Sequence, residues 1–115
     1  MLGILGCKDA PPQVDKGVRR VNPPRGSTIS YIPVPPRTVL LASEINKIPA
    51  HQISNACYAV YVDERPTYDY AHDIHLFLVA DDGKVTTLFH GNGFPDFHLQ
   101  REDGSLISGG EWRKY

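Results

Sequence analysis

Two β-prone runs that flank an Asp-Gly pair constrain the fold of this chain more than any other feature. The first run spans residues 73–80 and the second spans residues 85–92, with Asp81-Asp82-Gly83-Lys84 between them. An Asp-Gly pair tolerates the positive φ of a type I′ turn, so this pattern predicts a β-hairpin with Asp82-Gly83 as a two-residue loop. In that register Ala80 faces Val85.

The same register divides the hairpin into two faces, because successive side chains of a strand alternate. One face is almost entirely apolar and is predicted to be the core face: Ile74, Leu76, Leu78, Ala80, Val85, Thr87 and Phe89. The other face has an apolar tip and a polar open end, where His75 lies opposite His90. A shift of one residue would scatter both sets, so the clean partition supports this register.

The remaining pattern predicts a mainly β fold, α+β at most, in a single domain. A chain of 115 residues is not expected to hold more than one core. Residues 38–115 are expected to form a small antiparallel β-meander of four or five strands. Its other elements are a strand at 38–42, one or two helical turns within 43–53, a strand at 56–62 and a weaker second hairpin around Asp103-Gly104.

Residues 1–37 are predicted to form an extended, basic, proline-rich arm. The segment 8–37 holds seven of the ten prolines, which disfavour a long helix or a central strand. Within it, residues 27–32 are expected to form a short edge strand. Residues 1–42 contain six basic and two acidic residues, a net charge of +4. Residues 43–115 contain six basic and eleven acidic residues, a net charge of −5, so a basic arm precedes an acidic body.

The arm is predicted to contact a protein partner, either a larger assembly or another copy of the chain. The residues expected to make this contact are Arg19, Arg20, Arg25, Tyr31, Pro35, Pro36 and Arg37. The arginines could also contact nucleic-acid phosphates. That alternative is not favoured, because stacking aromatics other than Tyr31 are lacking and the body is acidic.

A second hypothesis is a metal site, most simply for zinc, at His75 and His90 with Asp73 as a neighbour on the same face. Four of the five histidines fall within residues 72–98, although no HExxH or Cys-His spacing accompanies them. Asp73 and His75 could also orient a catalytic base, but no serine lies in a nucleophile motif. An enzyme is therefore less favoured than a binding role.

These patterns leave three functional hypotheses. The first is a non-enzymatic structural or adaptor subunit that docks through its arm and β body. The second is a metal-binding module or small metal-dependent enzyme at His75 and His90. The third is a small inhibitor or effector, such as a virus-encoded one.

The compartment is not determined by the sequence. Cys7 and Cys57 show no disulfide or zinc spacing, and free thiols favour a reducing compartment. Residues 4–7 resemble a lipobox, but only six residues precede Cys7 and none is basic, so lipid anchoring is not expected. No apolar run approaches the ~20 residues of a membrane-spanning helix.

Overall fold

The computed structural model describes residues 10–67 and 70–115, with residues 111–114 described by their backbone alone. One helix and nine strands follow each other along these residues. They are α1 (Pro12–Val21), β1 (Thr28–Val34), β2 (Thr38–Leu40), β3 (His51–Ile53), β4 (Cys57–Asp63), β5 (His72–Val79), β6 (Val85–Gly93), β7 (Leu99–Gln100), β8 (Leu106–Ile107) and β9 (Glu111–Lys114).

The strands form two antiparallel sheets. The larger sheet has the order β6-β5-β4-β1-β9, and the smaller sheet has the order β3-β2-β7-β8. The predicted mainly β, antiparallel class is confirmed. The strands are more numerous than expected, and they divide between two sheets instead of following one meander.

The larger sheet is covered on both faces, which is why β5 is buried along most of its length. On one face Val14 and Val18 of α1 pack with Phe77 and Val79. On the other face a second cluster joins the two sheets: Val34, Ile53, Ala59 and Leu78. The expected division of the hairpin into one core face and one half-polar face is therefore wrong for β5, since both of its faces contribute to a core.

The helix corrects the prediction of an extended arm. Its prolines lie at the ends: Pro12 occupies the first turn, where a missing N–H is tolerated, and Pro23 follows the C-cap. Asn22 ends the helix in the left-handed conformation, with its N–H donating to the Val18 carbonyl. Between these ends, Val14, Val18 and Val21 recur at helical spacing and face the sheet.

Strand β1 also corrects that prediction, because it lies inside the larger sheet and not at an edge. It pairs with β4 along its whole length, from Thr28 to Val34. Strand β9 pairs only with residues 28–31, so at Pro33 β1 has a neighbour on one side only. A residue without an N–H can be accommodated at such a position. Residues 12–34 are therefore part of the packed fold, while residues 1–9 lie outside the described residues.

The β5–β6 hairpin is confirmed, but its turn differs from the predicted one. Gly83 N–H donates to the Ala80 carbonyl and Ala80 N–H donates to the Lys84 carbonyl, which encloses a three-residue loop. Gly83 alone in this loop has positive φ, at 85°. This combination is the type I turn followed by a left-handed glycine, the common three-residue hairpin connection.

The longer loop is compensated by a β-bulge between residues 87 and 89. Leu76 pairs with Phe89 whereas Phe77 pairs with Thr87, so Leu88 has no partner of its own. The predicted register therefore holds at the open end of the hairpin and is displaced by one residue near the turn.

The helical turns predicted within residues 43–53 are absent. Instead, Ser43 and Ile48 exchange two backbone hydrogen bonds, both 3.0 Å long, across a tight turn in which Lys47 has a φ of 59°. Pro49 follows directly and cannot donate the hydrogen bond that a continuing helix would need. The second hairpin, with β7 and β8 joined near Gly104, is confirmed in a short form.

Gly17 provides a test of how closely α1 lies on the sheet. A Cβ placed on this glycine would lie 2.6 Å from Val79 Cγ2 and 3.3 Å from Phe77 Cε2, both buried side chains. We expect Gly17→Ala to lower the free energy of unfolding by about 1–3 kcal/mol through overpacking, despite alanine's better helix propensity. Urea denaturation measures this free energy, with Arg20→Ala at an exposed position of α1 as control. A stabilised Gly17→Ala protein would contradict the close contact.

Candidate functional site

The paired histidines predicted from the sequence do lie together at the open end of the β5–β6 hairpin. His75 and His90 are direct cross-strand partners. Their rings are stacked, with centroids 4.0 Å apart and an interplanar angle of 6°. Phe77 flanks the stack, its ring centroid 5.0 Å from that of His75.

The two imidazoles have different surroundings. His75 is buried, and its Nε2 lies 2.9 Å from the Thr87 hydroxyl oxygen. Its Nδ1 is buried without a hydrogen-bond partner among the described residues. Burial, and secondarily the neighbouring His90, lowers the pKa of His75 to about 4. The side chain of His90 is 55% exposed, with Nε2 3.6 Å from Glu64 Oε2. At neutral pH His75 is therefore an uncharged ring beneath an accessible one.

This geometry does not by itself assemble a metal centre. Parallel stacked rings direct their nitrogen lone pairs along the ring planes, and His75 Nε2 is already engaged by Thr87. Asp73, the third proposed ligand, is exposed. Within residues 10–67 and 70–115 no group of three His, Cys, Asp or Glu side chains is placed to hold a metal ion. Zinc binding at His75 and His90 stays a prediction.

A second histidine site, at the other face of the sheet, was not singled out by the sequence. His72 is buried, its Nε2 lies 2.7 Å from Asp63 Oδ1, and its Nδ1 donates to the Tyr70 carbonyl over 2.6 Å. Asp63 also accepts a hydrogen bond from the Arg65 backbone N–H. Because both ring nitrogens of His72 face acceptors, this pair ties β4 to β5 and leaves no free nitrogen to act as a base.

A third polar cluster joins Ser43, Asp96 and His98. The Ser43 hydroxyl donates to Asp96 Oδ2 over 2.8 Å, and His98 Nε2 lies 3.1 Å from Asp96 Oδ1. A serine nucleophile needs the histidine between the serine and the carboxylate, whereas here the carboxylate lies between them. The cluster instead anchors the 43–48 turn to the segment after β6.

The residues predicted to contact a partner separate into two groups. Tyr31 is 7% exposed and packs against Tyr58, with ring centroids 6.3 Å apart, so it is a core residue and its expected surface role is wrong. The other predicted contact residues are exposed: Arg19 and Arg20 in the last turn of α1, Arg25 after it, and Pro35, Pro36 and Arg37 before β2. Arg37 forms an ion pair with Glu102 at 2.9 Å.

Cys57 lies at the start of β4, half-buried, and is a free thiol among the described residues. Burial, and secondarily the charge of Asp81, raises the pKa of this thiol. A raised thiol pKa disfavours the reactive thiolate. Cys7 lies outside the described residues.

Strand β6 is the feature that the sequence did not single out as a site. It is nine residues long and forms one edge of the larger sheet. No Lys, Arg, Asp, Glu or Pro occurs between Val85 and Gly93. Charged residues, prolines and β-bulges are means by which edge strands avoid pairing with other chains, and of these β6 has the bulge at Leu88. The other edges of the described sheets differ: β3 and β8 have three and two residues, and β9 carries Glu111, Arg113 and Lys114.

The backbone of β6 near the turn presents hydrogen-bonding groups away from β5. Ala80 and Lys84 form a hydrogen-bonded pair, and hydrogen-bonded and non-hydrogen-bonded pairs alternate along an antiparallel hairpin. Val85 and Thr87, which lie opposite Val79 and Phe77, are therefore at non-hydrogen-bonded positions. At those positions the N–H and C=O groups point away from the paired strand. Residues 85–87 are therefore an open template for an additional strand.

In comparisons with known proteins, no family model, no curated protein and no solved structure matches this chain. Any function must therefore be inferred from the chain's own geometry. Among the described residues, no helix has the length and apolar character to cross a membrane.

Proposed function

We propose that this chain is a non-enzymatic assembly subunit that pairs with a second copy of itself along strand β6. The observation that carries the proposal is the nine-residue edge, which contains no Lys, Arg, Asp, Glu or Pro and is regular over residues 85–87, on the turn side of the bulge. Pairing of two such edges in an antiparallel sense would continue the larger sheet from one copy into the next.

Self-association fits this edge better than pairing with an arbitrary strand, for a reason of symmetry. In a dimer with a two-fold axis at Thr86, Val85 of one copy pairs with Thr87 of the other, and both residues present outward backbone groups. Thr86 then faces Thr86 of the second copy. The side chain is exposed and neutral, so identical strands meet without like-charge repulsion.

The bulge at Leu88 limits the regular edge to residues 85–87 on the side of the turn. Three residues of backbone pairing supply few hydrogen bonds, so we expect a moderate affinity that depends on protein concentration. The basic residues Arg19, Arg20 and Arg25 remain exposed on the fold and are available for contacts with a larger acidic assembly.

The test uses opposite charges at the centre of the proposed contact. We expect the unmodified protein to show a concentration-dependent monomer–dimer equilibrium in sedimentation velocity. Thr86→Lys and Thr86→Glu should each weaken dimerisation by at least about tenfold, because like charges then face each other across the strands. An equimolar mixture of the two variants should recover the dimer.

Asn55→Lys is the matched control, since Asn55 is exposed and lies between β3 and β4. It adds the same charge away from the edge and should leave the equilibrium unchanged. A protein that stays monomeric at high micromolar concentration would rule out self-association through β6, as would dimers that tolerate either single-charge variant.

A further inference from the structure

The two residues of β6 whose backbone groups point outward are fixed to the fold by their side chains. Val85 and Thr87 both occupy non-hydrogen-bonded positions of the hairpin, so the backbone ladder to β5 does not hold them directly. Val85 packs against the core cluster that includes α1. Thr87 is exposed, but its hydroxyl oxygen lies 2.9 Å from Nε2 of His75. This side-chain hydrogen bond ties Thr87 to β5.

His75 is a rigid partner for that hydrogen bond. Its side chain is buried, and its ring is stacked on His90 with centroids 4.0 Å apart. The Phe77 ring lies 5.0 Å from it at an angle of 60°. Close packing of this kind restricts a ring to one rotamer, so Nε2 is held at a fixed position relative to the edge of the sheet.

The same hydrogen bond favours one position of the bulge in β6. His75 pairs with His90 on one side of the bulge, and Phe77 pairs with Thr87 on the other. If the first register continued as far as the turn, Thr87 would pair with Leu78. Because successive residues face opposite sides of a sheet, the Thr87 side chain would then point away from His75. The contact between His75 and Thr87 therefore selects the register in which the bulge lies at Leu88 and residues 85–87 are regular.

A strand edge that already has its bound geometry associates more tightly, because less conformational freedom is lost when the partner pairs with it. In the dimer with its two-fold axis at Thr86, Thr87 of each copy pairs with Val85 of the other. The hydrogen bond to His75 consequently contributes twice in every dimer.

We propose that His75 is a positioning residue for self-association, which holds the backbone of residues 85–87 ready for pairing through its hydrogen bond to Thr87. This inference rests on the proposed pairing of two copies along β6. It gives the histidine pair a role in the same contact: His90 packs on His75, and His75 aligns the edge.

The experiment compares Thr, Val and Ser at position 87 by sedimentation velocity. Thr87→Val keeps the β-branched shape but removes the hydroxyl, and should weaken dimerisation by about fivefold. Thr87→Ser keeps the hydroxyl and should dimerise more tightly than Thr87→Val. Since valine favours strands and serine lacks the β-branch, an effect of strand propensity alone would give the opposite order. Thr67→Val makes the same chemical change at an exposed position between β4 and β5, and should leave the equilibrium unchanged.

His75→Phe tests the other partner of the hydrogen bond, because it keeps an aromatic ring next to His90 but removes both nitrogens. Once this bond is absent, adding Thr87→Val to His75→Phe should weaken dimerisation no further. Urea denaturation of each variant verifies that the chains being compared are folded.

The outcomes separate this inference from the proposed function. An unmodified protein that stays monomeric at high micromolar concentration would overturn both. If the unmodified protein dimerises, the positioning role alone is overturned by any of three results: Thr87→Val dimerises as tightly, Thr87→Ser is weakened as much as Thr87→Val, or Thr87→Val has its full effect in the His75→Phe protein.

Discussion

Removal of residues 1–37 is expected to abolish the cooperative unfolding transition of the remaining chain. The deletion takes away α1 and β1, so β4 loses its partner along seven residues and one face of the larger sheet loses its cover. Five buried side chains are lost with them: Val14, Val18, Ile29, Tyr31 and Val34. At about 1.5–3 kcal/mol each, their burial is comparable to the whole net stability of a small domain, which is about 5–15 kcal/mol.

Thermal denaturation followed by circular dichroism and by tryptophan fluorescence measures this effect. The matched control keeps the backbone and removes the charge: Arg19→Gln combined with Arg20→Gln and Arg25→Gln, three exposed positions. This triple variant should unfold cooperatively near the temperature of the unmodified protein. A truncated chain that retains dispersed NMR resonances and a sharp transition would instead support a separable arm.

Acidification from pH 7 to pH 4 is expected to destabilise the protein by up to about 3 kcal/mol through His75 alone. The folded state lowers the pKa of His75 from 6.5 to about 4. Between these values the unfolded chain binds more protons than the folded chain, so the free energy of unfolding falls as the pH falls. A tenfold difference in proton affinity between the folded and unfolded states corresponds to about 1.4 kcal/mol, which gives the size of the expected loss.

Urea denaturation at pH values between 4 and 7.5 measures this slope. His75→Gln keeps a polar side chain near Thr87 but does not titrate, and should therefore show a shallower dependence on pH over the same range. His51→Gln serves as the control, because His51 is exposed on β3 and lies apart from the His75–His90 pair. Equal slopes for the His75→Gln and unmodified proteins would show that His75 does not contribute to the acid response.

The β5–β6 hairpin could be predicted because its signals are local. Alternation along residues 73–92 and the Asp-Gly pair predicted that His75 faces His90, and the rings are stacked as direct partners. The loop length could not be fixed in the same way. An Asp-Gly pair suits both a two-residue and a three-residue turn, and the choice depends on the bulge at Leu88, which packs against the core between the two sheets.

The helix was missed because the prolines were counted together and not by position. Pro11 and Pro12 precede the helix while Pro23 and Pro24 follow it, so they delimit α1 without interrupting it. The spacing of Val14, Val18 and Val21 was present in the sequence and would have indicated a helix of this length.

No local sequence pattern predicts the polar side-chain pairs of the structure. His72 with Asp63, and Ser43 with Asp96, come together only after strands distant in sequence have paired. The core cluster that joins the two sheets depends in the same way on packing that the sequence did not predict. Residue types and local spacing therefore identified the histidine pair but not the contacts between distant strands.

The position of β1 in the larger sheet also determines when this protein can finish folding. Its neighbours on the two sides are β4 and β9, and Thr28 is paired with both Asp63 and Lys114. During synthesis on the ribosome, β1 must therefore wait for β9 before its last hydrogen bonds can form. Such distant pairings slow folding relative to a chain of neighbouring hairpins.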